Sequence, residues 1–319
     1  MAAGAPRPCA EVFAAGEHPL EDGGASVAKP LLCRARQLSH DPDDAHCVTV
    51  VSAHITGDPM RDELVFEGDA YNTAPEKGWA LLRAIPSFFF YCQDLVIVWQ
   101  ASWRAKHGRY DTAAWVASSR DVVRALESVG VKFEIEGVDN VRKLDAPVVF
   151  VANHMSILET FVLPGIIAPF RDTTFVVKRS LVEYPVFKHV MRSRDPVTIT
   201  RTNPREDLRA VLEGGEQRLK AGISVVVFPQ TTRTTVFDPM DFNSIGVKLA
   251  KKAGAPVVPI ALKTDAWGNG RYLKDFGKIR PASKVHFAFG KPLRIKDRGR
   301  EEHEEIVRFI SDKLAQWST

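Results

Sequence analysis

From residue 130 onward, short apolar runs alternate with stretches in which apolar positions recur every three or four residues. VKFEIE (131–136), PVVFVA (147–152), TTFVVK (173–178), PVTIT (196–200), ISVVVF (223–228), PVVPIAL (256–262) and VHFAF (285–289) have strand length. They are rich in β-branched and aromatic side chains, which pack well on a pleated surface. Helical periodicity covers about 156–168, 181–192, 204–221, 243–253 and 301–317. The third of these has Asn203 as its N-cap and Pro204 in the first helical position, a strong start signal. Strands apolar on both faces need cover on both faces. The pattern therefore predicts an α/β fold, a mixed and largely parallel sheet covered by helices on both sides.

Ahead of it, the densest apolar stretch is AIPSFFFYCQDLVIVW (84–99), broken by Pro86 and by Gln93-Asp94. At 100° per residue, Gln93, Gln100, Arg104 and His107 share one face of a helix over 88–107. Phe88, Tyr91, Cys92, Leu95, Val98, Trp99 and Trp103 share a broad opposite arc. Its end is basic, and it is too interrupted to span a bilayer easily. Such a helix either lies in a membrane interface, with its tryptophans near the headgroups, or packs on the protein's own core. A second helix over 112–128, with Asp111 as N-cap, completes an amphipathic two-helix hairpin. Residues 1–75 are rich in Ala, Gly, Pro and Asp, with one β-like patch at 47–55. The expected division is an accessory or poorly ordered leader (1–75), a membrane-associating hairpin (76–128) and an α/β domain with a C-terminal helix (129–319).

Charge changes this picture. Residues 1–70 carry 12 acidic and 5 basic side chains, and residues 71–319 carry 27 and 38. The body is thus basic, as suits phosphates, coenzyme A, an anionic membrane surface or nucleic acid. No nucleic-acid-binding module is recognisable, which sets that last partner aside. Cys9, Cys33, Cys47 and Cys92 are scattered, without a C-x-x-C pair or a histidine at metal-ligand spacing. The expectation is a reducing environment, with no structural metal and no thiol nucleophile. No secretory signal is visible.

In α/β folds, ligands collect beyond the carboxyl ends of the strands. There the chain places Asn153-His154, then Lys178-Arg179, then Arg201, then PQTTRTT (229–235). A helix beginning between His154 and Glu159 can turn the carboxylate back onto the imidazole. That would fix the ring's tautomer while the other ring nitrogen takes a proton from a substrate hydroxyl. The same spacing also fits an ordinary strand-to-helix turn, with Ser156 as an N-cap. Thr231, Thr232 and Arg233 could hold a phosphate monoester, or simply satisfy their own turn.

The ordered blocks Asn-His-x-x-x-x-Glu, a strand ending at Arg201, Phe228-Pro229-Gln230-Thr231-Thr232-Arg233 and Val258-Pro259-Ile260 resemble the glycerolipid acyltransferases of the 1-acylglycerol-3-phosphate acyltransferase type. The resemblance covers roughly residues 80–295. It implies transfer of an acyl chain from acyl-coenzyme A or acyl carrier protein, with no further cofactor, to a lysophospholipid hydroxyl. It also implies a peripheral or monotopic enzyme on the cytoplasmic face of a membrane, and it leaves the oligomeric state open. Carried over by position, His154 is the general base and Glu159 its orienting carboxylate. Lys178, Arg201, Gln230, Thr231, Thr232 and Arg233 bind substrate, and Pro259 shapes the pocket wall. Two departures stand out: Glu159 where the family has Asp, and Gln230-Thr231 where it has Glu-Gly. A water-activating hydrolase and a non-catalytic lipid-binding relative are the competing readings. No Gly-x-Ser-x-Gly turn supports a serine route.

Overall fold

The computed structural model describes residues 64–74 and 80–318. In chain order the elements are β1 (Tyr71–Asn72), α1 (Ala80–Ala84), α2 (Pro86–Lys106), α3 (Thr112–Ser128), β2 (Phe133–Glu136), α4 (Asp139–Arg142), β3 (Val149–Ala152), α5 (Leu158–Ile167), β4 (Thr173–Lys178), α6 (Lys188–Ser193), β5 (Val197–Ile199), α7 (Pro204–Lys220), β6 (Ser224–Val227), α8 (Ile245–Ala253), β7 (Val257–Lys263), β8 (Val285–Phe289) and α9 (Arg300–Gln316). The strands form one sheet in the order β1-β2-β8-β7-β3-β6-β4-β5. Pairing is parallel throughout except at β1/β2 and β7/β8. Consequently β7, β3, β6, β4 and β5 all end on the same edge, where the chemistry-bearing residues were expected.

Two hydrophobic layers explain the continuous apolar runs. Phe150 and Ala152 of β3, Val226 of β6 and Val258, Ile260 and Leu262 of β7 pack in one cluster with Val122, Val123 and Leu126 of α3 and Leu158, Val162 and Ile166 of α5. Val149 and Val151, Val225 and Val227, and Val257 and Ala261 lie in the other, with Val211 of α7, Leu249 of α8 and Ile306 and Ile310 of α9. The period-2 alternation of side chains thus delivers each strand to both layers. Full burial of each large aliphatic or aromatic residue contributes about 1.5–3 kcal/mol. Gly246 lets α8 approach β3 closely, because a Cβ there would overlap Val151.

The local start signals act as expected. The Asp111 carboxylate accepts from Ala114 N at the head of α3, and Asn203 caps α7 with Pro204 at its first position. The helix expected over 181–192 divides into a 3-10 turn (Arg179–Val182) and α6. Pro185 lies between them, lacks an N–H and disfavours helical geometry in the residue before it. Residues 64–74, grouped with the leader by composition, instead add β1 at the sheet edge. There Tyr71 OH and Thr73 Oγ1 donate to Glu127 at 2.7 and 2.6 Å. The β-like patch at 47–55 lies outside the described residues.

Helix α2 packs on α3 and α6 through one flank, which takes in Val98 and leaves most of the apolar arc outside. Phe90, Asp94, Val98 and Ala101 are buried, and the Gln93 amide donates to Ser128 Oγ at 3.2 Å. Phe88, Cys92, Leu95, Trp99 and Trp103 are exposed, Trp99 at 65%. The helix thereby turns most of its aromatic surface to the outside. Among the described residues, no helix is long and apolar enough to cross a membrane.

Candidate active site

The site begins where β3 ends. Asn153 is buried, and its amide both donates to Leu262 O and accepts from Leu262 N, each at 2.8 Å. This side-chain imitation of a ladder rung ties the exit of β3 to β7. The backbone of His154 is fixed from the other side: its N–H donates to Gln230 Oε1 at 2.6 Å, and its C=O accepts from Thr234 N at 3.0 Å. The imidazole stacks on Phe228, with ring centroids 4.4 Å apart and planes inclined by 22°.

Glu159, fully buried in the first turn of α5, accepts from His154 Nδ1 at 2.9 Å. It also accepts from Met155 N, from Ser156 N and Oγ, and from Thr264 Oγ1 at 2.7 Å. Ser156 Oγ in turn accepts from Leu158 N. Residues 156–159 therefore form a capping box, and the capping glutamate is the same side chain that holds the histidine. Burial alone would raise the Glu159 pKa. His154, Thr264 and a backbone hydrogen bond outweigh it and hold the carboxyl below its ordinary range. An ionised Glu159 only accepts, so His154 carries its proton on Nδ1 and presents the lone pair of Nε2. No hydrogen bond engages Nε2 among the described residues.

The expected cations reach the same edge in different states. Lys178 is exposed at the end of β4 and makes no ion pair among the described residues. Arg201 sits in the left-handed region at φ 62°, which costs roughly 1–2 kcal/mol for a residue with a Cβ. Asp207 holds that turn by accepting from Arg201 N and Thr200 N, each at 2.7 Å. Arg201 Nη1 donates to Thr231 O at 2.6 Å. Partial burial, and then the positive charge of Arg233, pull the Arg201 guanidinium below its ordinary pKa. The two arginines are therefore electrostatic neighbours, although they leave strands that are not adjacent. Arg233 Nη2 donates to Asp275 Oδ1 at 2.7 Å.

Thr231 and Thr232 are exposed, but Gln230 is only 3% exposed and spends its carbonyl oxygen on His154 N. Its expected contact with substrate is thus replaced by a supporting one: the side chain lies behind the histidine. Pro259 pairs in register with Val151, within the sheet. The sequence reading missed Thr264, which completes the cage around Glu159. It also missed Asn269, which donates to Met155 O at 3.0 Å, and Asp275 and Arg280. All four belong to the segment between β7 and β8, whose nearest sequence signal is its set of close glycines, Gly268, Gly270 and Gly277. A groove of about 480 Å³ beside the turn that carries His154 is lined by Arg233, Thr234, Thr235, Val236, Asn269 and Arg280. A larger groove, about 570 Å³, lies over β2 and β8. Its Lys284 and His286 are matched by Glu134, and it contains none of the His154 apparatus.

Residues 132–263 match the family model described as Acyltransferase. Over that segment the chain is similar to the acyltransferase family. The matched segment runs from the start of β2 to the end of β7 and so contains His154, Glu159, Arg201 and Arg233. The chain is 28% identical over 193 residues to a 1-acyl-sn-glycerol-3-phosphate acyltransferase of Pseudomonas aeruginosa, an alignment covering 59% of this chain and 71% of that one. It is 32% identical over 131 residues to the chloroplastic 1-acyl-sn-glycerol-3-phosphate acyltransferase LPAT1 of Arabidopsis thaliana, covering 41% of this chain and 36% of the plant protein. The chain thus spans about a third of that plant relative's length. Its fold is similar to the crystal structure of the 1-acyl-sn-glycerophosphate acyltransferase PlsC from Thermotoga maritima. The TM-score is 0.56 at 21% identity, covering 75% of this chain and 99% of that one.

Proposed function

We propose that this acyltransferase transfers a fatty acyl chain from an acyl thioester to the free hydroxyl of 1-acylglycerol-3-phosphate, giving phosphatidic acid. The observation that carries the chemistry is the Glu159–His154 pair: a buried carboxylate on Nδ1 at 2.9 Å, with no hydrogen bond to Nε2 among the described residues. The hydroxyl of the acceptor gives its proton to Nε2 while its oxygen attacks the thioester carbonyl carbon. Glu159 stabilises the imidazolium that forms. The tetrahedral intermediate collapses with cleavage of the C–S bond, and the departing thiolate takes the proton back from Nε2. Atoms and charge balance without a cofactor; the donor is acyl-coenzyme A or acyl carrier protein.

The acceptor assignment draws on the printed activity of the relatives and on the cations Lys178, Arg201 and Arg233, with Thr231 and Thr232, at adjoining strand ends. Guanidinium groups grip phosphate oxygens in pairs, which suits a phosphate monoester. The exposed aromatic face of α2 supports peripheral or monotopic attachment at a membrane surface, which we read as the cytoplasmic face and which would give the enzyme access to a lipid acceptor. The test is to incubate purified protein with a panel of lysophospholipids and both donor types, and to weigh the products. Phosphatidic acid as the main product is expected. Preferential acylation of an acceptor without a terminal phosphate overturns the acceptor while keeping the chemistry, and acyl release without transfer overturns both.

A further inference from the structure

The segment 264–284 is built to one shape. A Cβ on Gly277 would overlap Gly268 O, and one on Gly270 would overlap Leu273 O, so the two arms of the segment close on each other only with glycine at these points. Trp267, 2% exposed and packed on Phe90 and Phe161, donates its indole N–H to Asp275 O at 3.1 Å. The backbone of Asp275 is thereby pinned, and its carboxylate receives Arg233 Nη2 at 2.7 Å. That bond takes one of the five N–H groups of Arg233 and leaves the others available.

Arg280 stands at the far end of the same segment and lines the same groove as Arg233. Its guanidinium lies against the backbone of Gly268, where a Cβ would stand 3.6 Å from both Cζ and Nη2. It is exposed and has no hydrogen bond or ion pair to its side chain among the described residues. Asn269 and Thr234, which line the groove too, are hydrogen-bonded to the backbone of Met155 and His154, so the groove abuts the catalytic turn. A groove with two guanidinium groups, threonine hydroxyls and one carboxylate at its margin is electropositive. Its chemistry fits a phosphate dianion next to the reacting hydroxyl.

We propose that Arg280 is a further cation of the acceptor's phosphate site, beside Arg233 in the same groove, and that Asp275 is the positioning residue that aims Arg233. This rests on the reading of the acceptor as a phosphate monoester. It assigns recognition of the headgroup to the segment after β7 as well as to the strand ends.

The test compares Arg280→Gln and Arg280→Lys with the unaltered enzyme. In transfer assays, Arg280→Gln should raise KM for 1-acylglycerol-3-phosphate about ten-fold, near 1.4 kcal/mol. KM for the acyl donor should change less than two-fold, and Arg280→Lys should recover part of the loss. Asp275→Ala should raise the same KM several-fold, and Asp275→Asn, which keeps an accepting oxygen, should restore most of it. Calorimetric titration with glycerol 3-phosphate reads the site whether or not transfer occurs, and Arg280→Gln should weaken that binding about ten-fold. An unaltered acceptor KM with unaltered glycerol 3-phosphate binding overturns the proposal, as does a rise confined to the donor's KM. If the unaltered enzyme transfers to no phosphorylated acceptor but its glycerol 3-phosphate binding falls on Arg280→Gln, the function reading fails while this site stands.

Discussion

Glu159 Oε1 accepts from His154 Nδ1 at 2.9 Å while the same carboxylate receives the amides of Met155 and Ser156 and the hydroxyl of Thr264. The residue therefore closes the first turn of α5 and orients the imidazole at once. Glu159→Gln should lower kcat by about two to three orders of magnitude, since a neutral amide stabilises the imidazolium less and can present its N–H to Nδ1. Glu159→Asp keeps the charge but shortens the reach, and should retain more activity than Glu159→Ala. Steady-state kinetics on variants with unchanged circular dichroism check the order.

The low pKa of Glu159 makes a second statement, about stability. A carboxyl held below its unfolded value stabilises the fold above the unfolded pKa, and that contribution is lost as pH falls through the folded one. The destabilisation caused by Glu159→Gln should therefore be large at pH 7 and shrink on acidification below about 4. Thermal unfolding of both proteins across that range reads it.

Asp94 has the opposite sign. It is buried in α2 with Oδ1 unpartnered, and burial pushes its pKa up to about 7. The folded state then binds the proton more tightly than the unfolded state. Stability is complete below the unfolded pKa and falls as pH rises from about 4 to about 7. Asp94→Asn should stabilise the protein at pH 8, by an amount on the order of a few kcal/mol, and change it little at pH 4. Unfolding midpoints at the two pH values supply the check.

Gln230 supports His154 through one accepting oxygen at 2.6 Å. A glutamate, the residue usual in the family at this position, offers the same acceptor with an added charge. Gln230→Glu should stay within several-fold of the native kcat, whereas Gln230→Ala leaves a backbone N–H without its partner and should cost about 1–3 kcal/mol of stability together with activity. Comparing the two variants in unfolding and turnover separates the acceptor from the charge.

The outward faces of Trp99 and Trp103 predict membrane attachment. Replacing both with serine should reduce co-sedimentation with anionic vesicles while leaving the unfolding midpoint nearly unchanged, because neither side chain is in the core. Equal sedimentation of the variant would contradict the role given to α2.

The strands were legible because both faces are buried. Residues 149–152 and 225–227 are apolar without interruption, and only a covered sheet accommodates that. His154 and Glu159 were legible because the capping box puts both partners within six residues. Arg201 and Arg233 needed the strand order to bring them together. The flank by which α2 docks was not legible: Asp94 is buried while Trp99 is exposed, a reversal that hydropathy periodicity cannot express. Nor were Thr264, Asp275 and Arg280, which reach the site through a long non-repetitive connection whose path is set by glycine contacts and by Trp267.

The central claim is that Nε2 of His154 takes the proton of the acceptor. It is tested most directly by single-turnover acyl transfer with His154→Gln, which preserves size and polarity but removes the base. A loss of at least about a thousand-fold in the transfer step is expected, with acceptor and donor binding retained and the fold unchanged. Transfer at a rate within a few-fold of the unaltered enzyme would contradict it.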